Sequence, residues 1–138
     1  MNKKKNKFLF DVKNINQVFE IINICKKSNI LPIILIKFFL INKLGTDWLI
    51  QYRNILNNKY NKNDFSFLVN CRNNYGFFIF CVKEKFEYLS VKADRSTLIS
   101  LKNIAKKNKV TVNPKISIID VKSIKKIKIK IEKELLKK

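Results

Sequence analysis

The sequence predicts an α/β fold: a single three-layer domain with a mostly parallel sheet of about five strands and helices on both faces, flavodoxin-like or half-barrel-like. Two observations carry this. Short β-branched or aromatic runs alternate, from Phe8 to Asn113, with amphipathic stretches of roughly ten to fifteen residues, the pattern of βαβ units. The 138 residues hold no internal repeat and no Pro/Gly/Ser linker, so one domain spans 1–138, with a basic arm over 1–7 and a basic C-terminal helix over 121–138.

Each element has its own signal. Phe8 to Val12 reads as a short buried strand. Asn14 lies three residues before Gln17, the spacing of an N-terminal cap, and Ile15, Val18, Phe19, Ile22 and Cys25 form an apolar stripe behind it. The run Ile30 to Phe39 reads as a second strand, apolar on both faces. Thr46 is placed to cap a helix whose apolar face is Trp48, Leu49, Tyr52, Ile55, Leu56 and Tyr60. Phe65 to Val69 is the third strand, and Tyr75 to Phe86 a helix apolar on most sides, hence the most buried. Tyr88 to Val91 is the fourth strand. Asp94 caps a helix with Leu98, Leu101, Ile104 and Ala105 facing inward, and Val110 to Val112 is the fifth strand. Ile116 to Ile119 fits a further short strand. Residues 121–138 match both a strand template (Ile127, Ile129, Ile131 alternating with Lys) and a helical one (Ile124, Ile127, Ile131, Leu135), and the helix is favoured.

Composition excludes several functions. There is no His, which removes imidazole acid–base chemistry, His triads and His metal sites. With only two glycines, Gly45 and Gly76, neither G-x-G-x-x-G nor a Walker loop can be written, and no cofactor is expected. Three cysteines, Cys25, Cys71 and Cys81, form no C-x-x-C pair, so neither a disulfide framework nor a metal site is expected and a reducing compartment fits best. The most apolar run, Ile30 to Ile41, is far shorter than the roughly 20 residues of a helical span. A cytoplasmic protein without a membrane partner is the expectation.

Thirty Lys+Arg against ten Asp+Glu give a net charge of +20. Only Arg53, Arg72 and Arg95 are arginine, and Lys, Asn and Ile make up nearly half the chain, the residues that A/T-rich codons favour. Mutational bias therefore accounts for part of the charge. The remainder allows an RNA- or ribosome-associated role in which Lys3, Lys4, Lys5, Lys125, Lys126 and Lys128 neutralise phosphates without reading sequence. Scarce arginine argues against bidentate base readout.

In a parallel α/β sheet, ligands bind beyond the carboxyl ends of the strands. The candidate ligand-binding residues there are Asp11, Asn70, Cys71, Arg72, Asn74, Lys92 and Asp94, with Asn113 at the end of the last helix–strand unit. Cys71 adjoins Arg72 and precedes a helix, a setting that lowers a thiol's pKa, so it is the candidate nucleophile of a cysteine-dependent enzyme. The competing reading is a buried cysteine in a capped turn, since no base lies nearby in sequence. Asp94 with Lys92 is either an acid–base pair or a helix cap beside a solvated lysine.

The segment from Leu44 to Val112 carries L-G-T-D-W-L, F-x-F-L-V-N-C, Tyr75-Gly76 and V-K-A-D in that order. It resembles a family of small α/β proteins of alphaproteobacteria. The resemblance implies the same α/β fold and no particular activity; Asn70 and Arg72 stand where that family has Asp and Gly around the cysteine, which removes carboxylate chemistry at the third strand. The reading preferred on these grounds is a small domain, without catalysis, that binds a small ligand or a protein partner at the carboxyl edge of its sheet. Edge strands and an apolar C-terminal helix leave self-association as a homo-oligomer open.

Overall fold

All but one pair of neighbouring strands follow one another along the chain. The computed structural model describes residues 6–120 and, beyond them, residues 129, 131–133 and 136. Strands β1 (Asn6–Asp11), β2 (Ile30–Ile36), β3 (Ser66–Asn70), β4 (Tyr88–Ser90), β5 (Thr111–Val112) and β6 (Ile118–Asp120) form one sheet in the order β5-β4-β3-β2-β1-β6. Every pairing is parallel. The connecting helices are α1 (Ile15–Lys27), α2 (Phe38–Leu44), α3 (Thr46–Lys59), α4 (Tyr75–Lys83) and α5 (Arg95–Lys107). The parallel α/β class is thus the one the sequence predicts. Of its two strand orders the half-barrel-like one is adopted, because β1 to β5 step in one direction without the early reversal of flavodoxin.

The sheet is curled. Residues 113–117 alone join the two edge strands. Six strands laid flat hold their edges roughly 24 Å apart, whereas the steps from Val112 to Ile118 reach at most about 22 Å. The Lys7 ammonium of β1 also lies 5.6 Å from the ring centroid of Tyr88 in β4, two strands away from its own neighbour. Both observations require the sheet to bend toward the face these side chains share.

Strand alternation sorts the apolar residues onto two faces. The outer set, Phe8, Phe10, Ile34, Ile36, Phe67, Val69 and Leu89, joins Val18, Ile22, Leu49, Leu56, Phe78, Cys81 and Leu101 of the helices in the larger core. The inner set, Leu9, Ile33, Leu68 and Tyr88, forms a smaller cluster against which Leu35 and Ile116 pack. Ile116 belongs to the connection between β5 and β6, so the strap that forces the curl also covers the inner face.

Local details differ from the sequence expectations at several points. The second strand ends at Ile36, and Phe38–Leu44 is the helix α2; a continuous apolar run gives strand and helix the same signal. Gly45, not Thr46, sits at the N-cap of α3 and also closes α2. Its φ of +88° is the left-handed region that glycine enters without cost, which is why the two helices can abut there. Ile55 and Ile104 are exposed rather than inward, whereas α4 stops at Lys83 with Phe77, Phe78, Cys81 and Val82 buried. In the C-terminal segment, residues 129, 131–133 and 136 are helical and Ile131 is buried. Lys3, Lys4, Lys5, Lys125, Lys126 and Lys128 lie outside the described residues.

Three asparagine or aspartate caps act where the sequence places them or one motif away. Asn14 accepts the Gln17 N–H at 3.0 Å, Asn74 the Phe77 N–H at 3.0 Å, and Asp94 the Thr97 N–H at 2.8 Å. Asn74→Ala is expected to cost about 1 kcal/mol. The check is a lower urea midpoint with an unchanged slope.

Candidate functional site

Past the end of β3 the chain stays tied to β4. The Cys71 N–H donates to the Ser90 carbonyl at 2.8 Å and the Lys92 N–H to the Arg72 carbonyl at 2.8 Å. Asn70 folds back, its Oδ1 accepting the Arg72 N–H at 3.0 Å, which spends the carboxamide oxygen and leaves its Nδ2 donor to face outward. On the other side, Asn113 imitates a strand residue. Its Oδ1 accepts the Val91 N–H at 2.8 Å and its Nδ2 donates to the Val91 carbonyl at 3.1 Å, extending β5 along β4 by one side chain. Arg72 and Asn113 both hold positive φ, +49° and +50°.

These turns bound a cleft of about 640 Å³ at the carboxyl ends of β3, β4 and β5, lined by Asn70, Arg72, Asn73, Ser90, Val91, Lys92 and Asn113. Asn70 and Ser90 are register partners. They continue the inner-face row two residues beyond Leu68 and Tyr88, so the small apolar cluster lies beneath them. The Arg72 guanidinium lies 5.5 Å from the ring centroid of Phe38, which restricts where its donors point. Two cations, donor-bearing amides and a hydroxyl line the cleft. No carboxylate is among the lining residues. Chemically this is a site for an acceptor-rich anion.

Of the residues singled out from sequence, the structure brings together Asn70, Arg72, Lys92 and Asn113. It sends the others elsewhere. Asp11, at the end of β1, is ion-paired with Lys37 at 3.0 Å. Asn74 caps α4 and borders a separate groove with Phe38, Ile41 and Phe77. Asp94 caps α5, and the hydrogen bonds from Thr97 hold its carboxyl below the usual carboxylate range. Cys71 corrects the expectation of a thiol presented beside Arg72: it is fully buried, its sulfur 3.8 Å from the Val69 carbonyl and hydrogen-bonded to Cys81 in α4. Although Arg72 is next in sequence, its guanidinium lies against the ring of Phe38 while the thiol is turned into the core. The sequence reading missed Ser90, although its pairing with Asn70 follows from strand alternation. It also missed Lys37, hidden inside the run read as strand.

A second cleft, about 450 Å³, opens at the amino ends of β3 and β4. There Arg53 donates to the Glu84 carbonyl at 2.6 Å and carboxylate at 2.9 Å and lies 4.3 Å from the Phe86 ring centroid. Its charge is spent within the fold. Among the described residues no group of three Cys, Asp or Glu side chains is placed to hold a metal ion. No helix among them is long and apolar enough to cross a membrane.

Fold and site together define a parallel α/β domain with a cationic cleft at the carboxyl edge of its sheet. No protein-family model matches the chain, and neither a curated protein nor a solved structure does.

Proposed function

We propose that the chain is a ligand-binding α/β domain that holds a small anion at the carboxyl ends of β3, β4 and β5. One observation carries the reading: Arg72 and Lys92 border a cleft of ligand size whose lining contains no carboxylate. The location is the one where parallel α/β sheets take their ligands. A net charge of +20 raises the local concentration of any anion, and Asp11, Asp64 and Glu84 are each held in an ion pair, which leaves them little pull on the surface field.

Titration with inorganic pyrophosphate by calorimetry tests this, using Arg72→Gly. Glycine suits the φ of +49° at this position, so the fold is retained or gains stability while the guanidinium is lost. Affinity is expected to fall about tenfold or more, the worth of a charge-assisted hydrogen bond. Lys102→Ala, removing an exposed cation on α5, is expected to change it little. Equal losses in the two variants would mean diffuse attraction to a basic surface, and the site would be abandoned.

A further inference from the structure

We propose, resting on that reading, that the anion is the phosphate of a nucleotide whose base stacks on Tyr75. The first ground is size. A cleft of about 640 Å³ is many times the roughly 30 Å³ of a water molecule and far exceeds what one phosphate fills, so a ligand held by Arg72 and Lys92 must extend beyond its anionic group.

The second ground is an aromatic residue tied to the rim of the cleft. Tyr75 opens α4, and its hydroxyl donates to the carbonyl of Lys92 at 3.3 Å. That bond ties the phenol to the backbone of a residue that lines the cleft. Tyr75 is 39% exposed. Neighbouring aromatics are already engaged: Phe38 with Phe77, and Phe77 with Phe80. Among the described residues no ring pairs with Tyr75. A part-exposed aromatic ring held at one end by a hydrogen bond to the backbone of a cleft residue is an arrangement that can stack a base while its phosphate is neutralised in the cleft.

The third ground is the donor balance of the lining. Asn113 spends both carboxamide atoms on Val91, and Asn70 spends its oxygen on Arg72, so the side chains left are the Asn70 Nδ2, the guanidinium, the ammonium, the Asn73 carboxamide and the Ser90 hydroxyl, donors outnumbering acceptors. With no carboxylate to grip a diol, the lining suits phosphate oxygens and the carbonyl edge of a base better than a bare sugar. A free mononucleotide and one unit of a single-stranded RNA offer the same chemistry.

The test compares uridine 5′-monophosphate, ribose 5-phosphate and a single-stranded oligouridylate on the wild-type chain, Tyr75→Leu, Tyr75→Phe and Arg72→Gly. The mononucleotide is expected to bind about tenfold more tightly than ribose 5-phosphate. Tyr75→Leu should abolish that difference without changing ribose 5-phosphate binding, and Tyr75→Phe should keep it. Arg72→Gly should weaken both. Oligouridylate bound more tightly than the mononucleotide, and equally sensitive to Tyr75→Leu, assigns the site to a single strand; equal affinity assigns it to the free nucleotide. Equal binding of mononucleotide and ribose 5-phosphate to the wild type overturns the base contact while leaving the anion site standing. Binding of neither, or binding indifferent to Arg72→Gly, overturns the anion site itself.

Discussion

Phe78→Ala should lower the unfolding free energy by about 3–5 kcal/mol, the largest effect expected of any single truncation in this chain. The ring is fully buried at the middle of α4, the helix with the highest share of buried apolar residues, and it belongs to the core that joins all five helices to the outer face of the sheet. Its backbone is fixed within the helix as well: the Phe78 N–H donates to the Asn74 carbonyl at 3.0 Å, so the first turn of α4 cannot rewind to fill the space. The lost contacts and the void therefore add. Against a typical total of about 5–15 kcal/mol, the variant should unfold at far lower urea with the same slope. A change below about 1 kcal/mol would show that the helix packs differently from the way described.

All three thiols should resist alkylation in the native protein and react together when it unfolds. Cys25, Cys71 and Cys81 are free and fully buried. Iodoacetamide should then label each only through opening of the fold, slower than in urea by a factor on the order of 10³ or more. Burial pushes the Cys25 thiol up to about 12, and the hydrogen bond with Cys71, followed by burial, pushes Cys81 up further. In the unfolded chain the ordinary value is 9.0, so above it the native state binds more protons than the unfolded one. This contribution is fully present below about pH 9 and is lost as pH rises toward 12. Tyr52, raised by burial from 10.0 to about 12, adds in the same sense at the upper end. The urea midpoint should accordingly be lower at about pH 9.5 than at pH 8, where lysines still carry their charge. Native-state labelling of Cys71 well ahead of Cys25 would overturn the buried placement and return a nucleophile to the carboxyl edge.

The sequence made the elements legible and the faces less so. Asn14 and Asp94 announce their helices because a capping side chain and the N–H it accepts are three residues apart, a purely local relation. The helix α2 is invisible because Ile30 to Ile41 is apolar without a period, and only the tertiary fold decides that the extended backbone stops after Ile36. The candidate site was half legible. Asn70, Arg72, Lys92 and Asn113 follow from the rule about carboxyl ends, whereas Ser90 needs the strand register and Tyr75 needs the bond to Lys92. Cys71 misleads for a reason of the same kind: proximity along the chain suggests an electrostatic partner, but the thiol turns into the core while the guanidinium lies against Phe38.

The strap of residues 113–117 bears on the order in which the sheet can be completed. Each strand from β1 to β4 pairs with the strand that follows it in the chain, so these contacts form over short sequence separations as synthesis proceeds. β6 is different. Leu9 and Phe10 receive their second partner, and Asp11 its only one, from Ile118, Ile119 and Asp120, nearly the whole chain later. Until then β1 presents an unpaired parallel edge, and Leu9 lacks the cover that Ile116 brings to the inner cluster. A ribosome-bound or truncated chain ending near Val112 would hold five paired strands and an adhesive sixth position. The last step of folding is thus a bimolecular hazard as well as an intramolecular gain, and a chain caught before it is the species most prone to pair with another copy edge to edge.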